Sequence, residues 1–358
     1  MKKHNQLNNS DEGLEIPRES EEQGATTPLK RGLLKYILSP HVLFLVVIIV
    51  IVILIINRLS NWGEHVDMGY INNLPDVERS ERESYDSIVP LIDEETGNLL
   101  ATKSPHNILL FGNSTLAQGR NSKNGIANLI AEKTGSTIYN CAVADSLLAS
   151  HGYTVWDDET GLNVYNFYWL CIYLARHNEP DVNYFDWLAE NPKSKILPET
   201  DHIRQTLETI DMSTIDTIGI MYDAADYFAG SPCPETCSTD PTTFAGNLEA
   251  GIQVLQTYYP NIRIIVMSPT YAFGVDENGE YVSSDKKTYN GSEVLSNFML
   301  RECQSASLDC GVSFIDHIYG TFNEDEASEY LSDNYHLNQA GIEKVADRFA
   351  KALTAFDK

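Results

Sequence analysis

From Asn107 onward, short β-branched runs alternate with longer amphipathic stretches, and this alternation restricts the fold more than any other feature. The runs are residues 108–111, 137–140, 217–222, 262–267 and 312–315. Between them lie stretches of helical character at 125–133, 244–258 and 291–303, and a last one spans 341–356. Two strands can pair in parallel only if a crossover of a dozen or more residues joins them, and that crossover is usually a helix. The pattern therefore predicts an α/β domain with a mostly parallel sheet and helices on both faces. In such sheets ligands collect at the carboxyl ends of the strands, so those ends are where chemistry is expected.

The N-terminal part has a different composition. Residues 1–35 are rich in Glu, Asn, Gln and Ser without periodicity and read as a disordered tail. Residues 42–56 are apolar without exception, and 36–57 make a span of transmembrane length. Lys30, Arg31 and Lys35 precede it and only Arg58 follows closely, which predicts a cytoplasmic N-terminus and an extracellular C-terminal domain. A cleaved signal peptide is the competing reading, but the sequence at 57–61 has no A-x-A-like site and favours an uncleaved single-pass anchor. Residues 58–103 read as a stalk, leaving 104–358 as the domain.

The formal charge is −26, from 25 basic and 51 acidic side chains. This excludes nucleic acid as an expected partner, since phosphate binding needs a basic surface. It also excludes adhesion of the folded part to anionic headgroups. All six cysteines follow the apolar span. Cys233 with Cys237, and Cys303 with Cys310, are the local pairs to test for disulfides. Cys141 and Cys171 sit in apolar runs and read as buried hydrophobes. No Cys or His cluster has zinc-ligand spacing, so neither metal nor cofactor is expected.

Two segments carry chemistry. In the first, the strand at 108–111 runs into Gly112-Asn113-Ser114 and a region able to start a helix. Such a turn lifts a hydroxyl from the sheet edge and aims helix-terminal N–H groups at the same place. In the second, Asp333 and His336 stand three apart in a loop before the last helix. A base that takes the Ser proton and a carboxylate that orients the base are what a serine nucleophile requires. Taken singly, Ser114 reads as a helix cap, Asp333 as a turn cap and His336 as a surface histidine.

Together these segments resemble the SGNH/GDSL hydrolase family. Gly112-Asn113-Ser114 is similar to its first block, and Asp333, His336, Asn338 and Gly341 match the spacing of its last, D-x-x-H-x-N-x-x-G. The likeness extends over most of 104–358. It implies a flavodoxin-like three-layer α/β/α sandwich and a catalytic triad of Ser114, Asp333 and His336. The implied activity is hydrolysis or transfer of an ester-linked acyl group; for a domain outside the membrane the expected substrate is an acylated cell-envelope glycan or another small ester. The oxyanion hole would use the N–H groups of Ser114 and Asp145, the latter standing where the family carries Gly. Ala225 stands where the family carries the Asn that supplies a third donor. Asn113, Asp223 and Asp226 are candidate substrate contacts at the strand ends, with N-capping of the next segment as the alternative for Asp223 and Asp226. A carboxylate at 145 is expected to disfavour an oxyanion unless it points away. The two departures leave open a non-catalytic glycan-binding module. The aromatic stretch at 165–173 reads as core, and neither His151 nor His317 is assigned a role.

Overall fold

The computed structural model describes residues 48, 52, 84–92, 97–100, 104–236 and 239–357. The expected tail, nearly all of the expected anchor and much of the expected stalk lie outside these residues. Among the described residues no helix is long and apolar enough to cross a membrane. The chain divides into two units, 1–64 and 65–358, and the second carries the architecture that follows.

Five strands form one parallel sheet: β1 (Asn107–Gly112), β2 (Thr137–Asn140), β3 (Thr217–Met221), β4 (Arg263–Met267) and β7 (Ser313–Ile315). Their order is β2-β1-β3-β4-β7. Counting only these strands, the order is 2-1-3-4-5, that of a doubly wound flavodoxin-like sheet, whose switch point lies between β1 and β3. All five match the runs expected from the sequence to within one residue at each end. A separate antiparallel hairpin, β5 (Phe273–Val275) with β6 (Tyr281–Ser283), was not expected, since its three-residue strands are too short to show alternation.

The helices are α1 (Ser114–Ala117), α2 (Ile126–Thr134), α3 (Phe167–Arg176), α4 (Tyr184–Glu190), α5 (Thr200–Thr209), α6 (Ala225–Ala229), α7 (Phe244–Tyr258), α8 (Leu295–Cys303), α9 (Glu324–Tyr330) and α10 (Gln339–Leu353). Neighbouring side chains on a strand point to opposite faces, and this separates the layers. On one face Leu110 and Gly219 meet Phe349 of α10, where a Cβ at Gly219 would lie 3.0 Å from the Phe349 ring. On the other, Phe111 meets Phe167 of α3 edge-on at 5.5 Å, and Gly251 of α7 gives that ring its room. Helix α2 packs with α10, and α3 with α7. The aromatic stretch is core as expected, with Tyr165, Phe167, Trp169 and Tyr173 all buried. Emptying such a site, as in Phe167→Ala, costs about 3–5 kcal/mol.

Two findings revise sequence expectations. Cys303 and Cys310 are not joined: a π-helical turn, Gln304–Asp309, continues α8 between them. A continuous helical segment of this length carries the two Cα atoms away from the separation a disulfide needs. The Cys303 thiol instead faces the Tyr85 carbonyl at 4.0 Å. Cys237, of the other expected pair, lies outside the described residues. Residues 84–89, read as stalk, lie along β7. Ser87 exchanges backbone hydrogen bonds with Phe314 at 2.9 and 2.8 Å, and Val89 N–H donates to Ser313 Oγ at 3.1 Å. The segment satisfies groups that an edge strand would leave open.

Candidate active site

The nucleophile half is built at the switch point. A Cβ at Gly112 would collide with the Met221 carbonyl, so only glycine lets the end of β1 run this close to β3. The next N–H, of Asn113, donates to that same carbonyl at 3.3 Å. Ser114 then opens α1, half-buried at the sheet edge.

Asn113, Asp223 and Asp226 sit behind it, essentially without exposure. Asn113 Nδ2 donates to Asp223 Oδ1 at 2.8 Å and to the Ser146 carbonyl at 3.2 Å, while its Oδ1 accepts from Asp223 N–H at 2.9 Å. Asp223 also accepts from Thr115 Oγ1 at 3.1 Å and from Ala225 N–H at 3.0 Å. Burial raises the Asp223 pKa against these hydrogen bonds. Asp226 accepts from the N–H groups of Leu148 and Ala149 at 2.8 and 3.1 Å, and burial pushes it up to about 6. As placed, the three side chains do not face the cleft as substrate contacts would. Their polar atoms are spent on pinning the loops after β1, β2 and β3 to one another.

Asp145 completes this half. Its φ of +59° is left-handed, a conformation in which glycine is at ease and Asp is among the few tolerated alternatives. The backbone path expected of a glycine is thus kept, and Asp145 N–H donates to Ser114 Oγ at 2.9 Å. The carboxylate does not point away, however. Ser114 Oγ donates to Asp145 Oδ1 at 3.4 Å.

The base half is one loop. An isolated bridge between Leu331 and Leu337 closes it, and Ser332 N–H donates to the His336 carbonyl at 2.7 Å. Asp333 Oδ1 accepts from Tyr335 N–H at 2.9 Å and His336 N–H at 2.8 Å, and Oδ2 meets His336 Nδ1 at 2.6 Å. Burial acts to raise the Asp333 pKa, but these donors and the imidazole outweigh it and hold the carboxyl below its ordinary value. Asn338 and Gly341 are structural. Asn338 Oδ1 caps α10 by accepting from Gly341 N–H at 3.1 Å, and its Nδ2 reaches back to the Glu329 carbonyl at 2.8 Å. A Cβ at Gly341 would press on the Tyr330 carbonyl.

The two halves open on one cleft of about 420 Å³, shared by Ser114, Asp333, His336, Ser332, Gln118 and Glu199. Among the described residues no hydrogen bond joins Ser114 to His336; the Ser114 hydroxyl meets Asp145 Oδ1 at 3.4 Å instead. A hydroxyl rotates freely, and hydrogen bonds of this kind are often long before substrate arrives. The Ala225 side chain brings no donor, and its N–H is engaged by Asp223. Tyr335, which sequence reasoning missed, packs tilted against His336 at 3.8 Å and against Phe228 at 5.0 Å between ring centroids. Burial and the Asp223, Asp333 and Asp145 carboxylates raise its pKa. Its only sequence signal was adjacency to His336. His151 pairs with Asp158 at 3.6 Å. His317 is buried on Thr321 at 2.7 Å, and burial lowers it to about 3. Among the described residues no cluster of His, Cys, Asp or Glu could hold a metal ion.

No family model matches the chain, and no curated protein is similar to it in sequence. Solved structures are similar to it at low identity. A Lactobacillus plantarum protein is 18% identical, with a TM-score of 0.44 over 70% of this chain and 97% of its own. A carbohydrate acetylesterase from Sinorhizobium meliloti is 12% identical, with a TM-score of 0.43 over 70% and 99%. A Slackia heliotrinireducens protein assigned as an SGNH hydrolase is 13% identical, with a TM-score of 0.38 over 69% and 98%. Since each TM-score is below 0.5, the class of the domain rests on its own features. These are a parallel 2-1-3-4-5 sheet with a serine at the switch point and an Asp–His pair across the cleft.

Proposed function

We propose that the domain is a serine esterase or O-acyl hydrolase using Ser114, His336 and Asp333. One observation carries the reading: Ser114 Oγ, held by Asp145 N–H at 2.9 Å, shares a cleft with an imidazole oriented by a carboxylate at 2.6 Å. The Ser114 hydroxyl leaves Asp145 and attacks the acyl carbonyl while His336 Nε2 takes its proton. Asp333 holds Nδ1–H and stabilises the imidazolium. The N–H groups of Ser114 and Asp145 receive the oxyanion. His336 then protonates the leaving alcohol, and water repeats the sequence on the acyl-enzyme. Transfer to a second hydroxyl would use the same intermediate.

Further parts of the proposal rest on sequence. With residues 36–57 as a single-pass anchor and the N-terminus cytoplasmic, the domain would work outside the membrane. There, acylated cell-envelope glycans are the substrates in reach. A second reading, a glycan-binding module without turnover, is favoured by one contact, the donation of the Ser114 proton to Asp145 rather than His336.

Labelling of the full-length chain in detergent with a fluorophosphonate, alongside turnover of a short-chain aryl ester, separates the two. The hydrolase is expected to label, and Ser114→Ala to lose labelling and about 10⁴- to 10⁶-fold in kcat with an unchanged circular dichroism spectrum. A folded wild type that neither labels nor turns over would leave the binding module.

A further inference from the structure

Asp145 raises a problem that the hydrolase mechanism leaves unsolved. Its N–H is an oxyanion donor, and the carboxylate of the same residue lies 3.4 Å from the attacking oxygen. A neutral ester would develop its negative charge beside a negative group, which opposes the transition state even though Asp145 is itself exposed. The surroundings give no relief. Glu199 and Asp333 line the cleft in front of Ser114, no Lys or Arg among the described residues does, and Asp145, which lines the pocket next to it, is in no ion pair among the described residues. Glu199 Oε2 is buried without a hydrogen-bond partner. The Asp333 charge is balanced by His336 once the imidazole holds the serine proton. Among the described residues no cation is paired with Asp145; His151, which lines the neighbouring pocket with it, pairs with Asp158 at 3.6 Å.

We infer that the substrate supplies the missing cation, and that Asp145 selects an α-aminoacyl ester, whose ammonium sits one carbon from the reacting carbonyl. This deepens the hydrolase reading and rests on it. At roughly 1.5 Å per bond, an ammonium two bonds from the carbonyl carbon stands about 3–4 Å from Ser114 Oγ once the acyl bond forms. Asp145 Oδ1 occupies that range. The cation belongs on the acyl side for a geometric reason. Asp145 N–H marks the place of the carbonyl oxygen, whereas the leaving oxygen must stand by His336 to be protonated. Between the carboxylate and the oxyanion, the ammonium pairs with both. The covalent step is otherwise unchanged: the Ser114 Oγ–carbon bond forms, the bond to the leaving oxygen breaks, and His336 carries the proton from one oxygen to the other.

The test compares aryl esters of alanine and of isobutyric acid, which differ by an ammonium in place of a methyl group. Each rate is normalised to the ester's spontaneous hydrolysis, and the full-length chain in detergent is used. Wild type is expected to favour the alanyl ester by about 10- to 100-fold in kcat/KM, the range one charged contact supplies. In Asp145→Asn that preference is expected to fall to within about threefold. Asp145→Gly, which suits the left-handed backbone, serves as the second variant should the first fold poorly. Equal handling of the two esters by wild type would overturn the inference while leaving a hydrolase. So would a preference that survives loss of the carboxylate. A preference instead for isobutyrylcholine over its uncharged dimethylbutyl analogue would put the cation on the alcohol and equally overturn it. Absence of both turnover and fluorophosphonate labelling marks failure of the hydrolase reading, which takes this one with it.

Discussion

The two halves of the cleft are built on opposite plans. The base half is local: Asp333, Tyr335 and His336 contact one another within three residues, and the Asp333–His336 pair keeps substantial exposure. The nucleophile half is global. Ser114 takes its N–H from a residue 31 positions away, and Asn113 is bonded to Asp223 across 110 positions in a fully buried setting. Their carboxylates differ accordingly. Asp333 is held below its ordinary pKa by donors that outweigh its burial, whereas burial wins at Asp223 and Asp226 and raises both. A local arrangement can be tuned without disturbing the fold; a global one ties chemistry to stability.

Three substitutions can break this contrast. The largest effect is expected for Asp333→Asn, which should lower kcat for an aryl ester by on the order of 10²- to 10⁴-fold through the wrong imidazole tautomer. Its urea midpoint should stay close to wild type. A large loss of stability would show that the base loop is not local after all. Next is Asn113→Ala, which leaves Asp223 and its N–H short of partners in the interior. About 2–4 kcal/mol of unfolding free energy should be lost in urea titrations, with turnover falling although the side chain does not face the cleft. A loss under about 0.5 kcal/mol would contradict the pinning role.

The smallest effect is a pH dependence. Asp226 stands at about 6 in the fold against an ordinary 3.8, so the folded chain holds this proton more tightly than the unfolded chain. Its favourable contribution is therefore greatest below about pH 4 and is lost as pH rises through 6. Asp333, with a lowered pKa, has the opposite sign: its contribution is present above the unfolded value and lost as pH falls through the folded one. Between about pH 4.5 and 7, wild type should lose on the order of 2 kcal/mol relative to Asp226→Asn. Urea midpoints of the two chains at both pH values measure this, and a constant difference would show that burial does not dominate at Asp226.

The same contrast explains what the sequence could reveal. Asp333 and His336 were legible because their contact is encoded by spacing alone. The five sheet strands were legible because each is a buried β-branched run, and α7 because its apolar face is long. The roles of Asn113, Asp223 and Asp226 were not legible, since a polar residue after a strand reads alike whether it turns outward to substrate or inward to a loop. Asp145 was legible only as a departure from a pattern. That its backbone keeps the glycine conformation while its carboxylate stays beside Ser114 depends on a dihedral angle that no spacing encodes. Tyr335 was hidden for a similar reason, because its ring direction is set by Phe228, more than a hundred residues earlier.

The short segment against β7 has a consequence for how the molecule can be handled. Asp316 N–H donates to Asp86 Oδ1 at 2.8 Å, and Asp86 also pairs with Arg348 of α10, so the segment is clasped at side-chain level as well as by backbone. A recombinant domain begun at residue 104 would discard that clasp. It would present the rim of the sheet as an open ladder, the geometry through which separate copies zip together edge to edge.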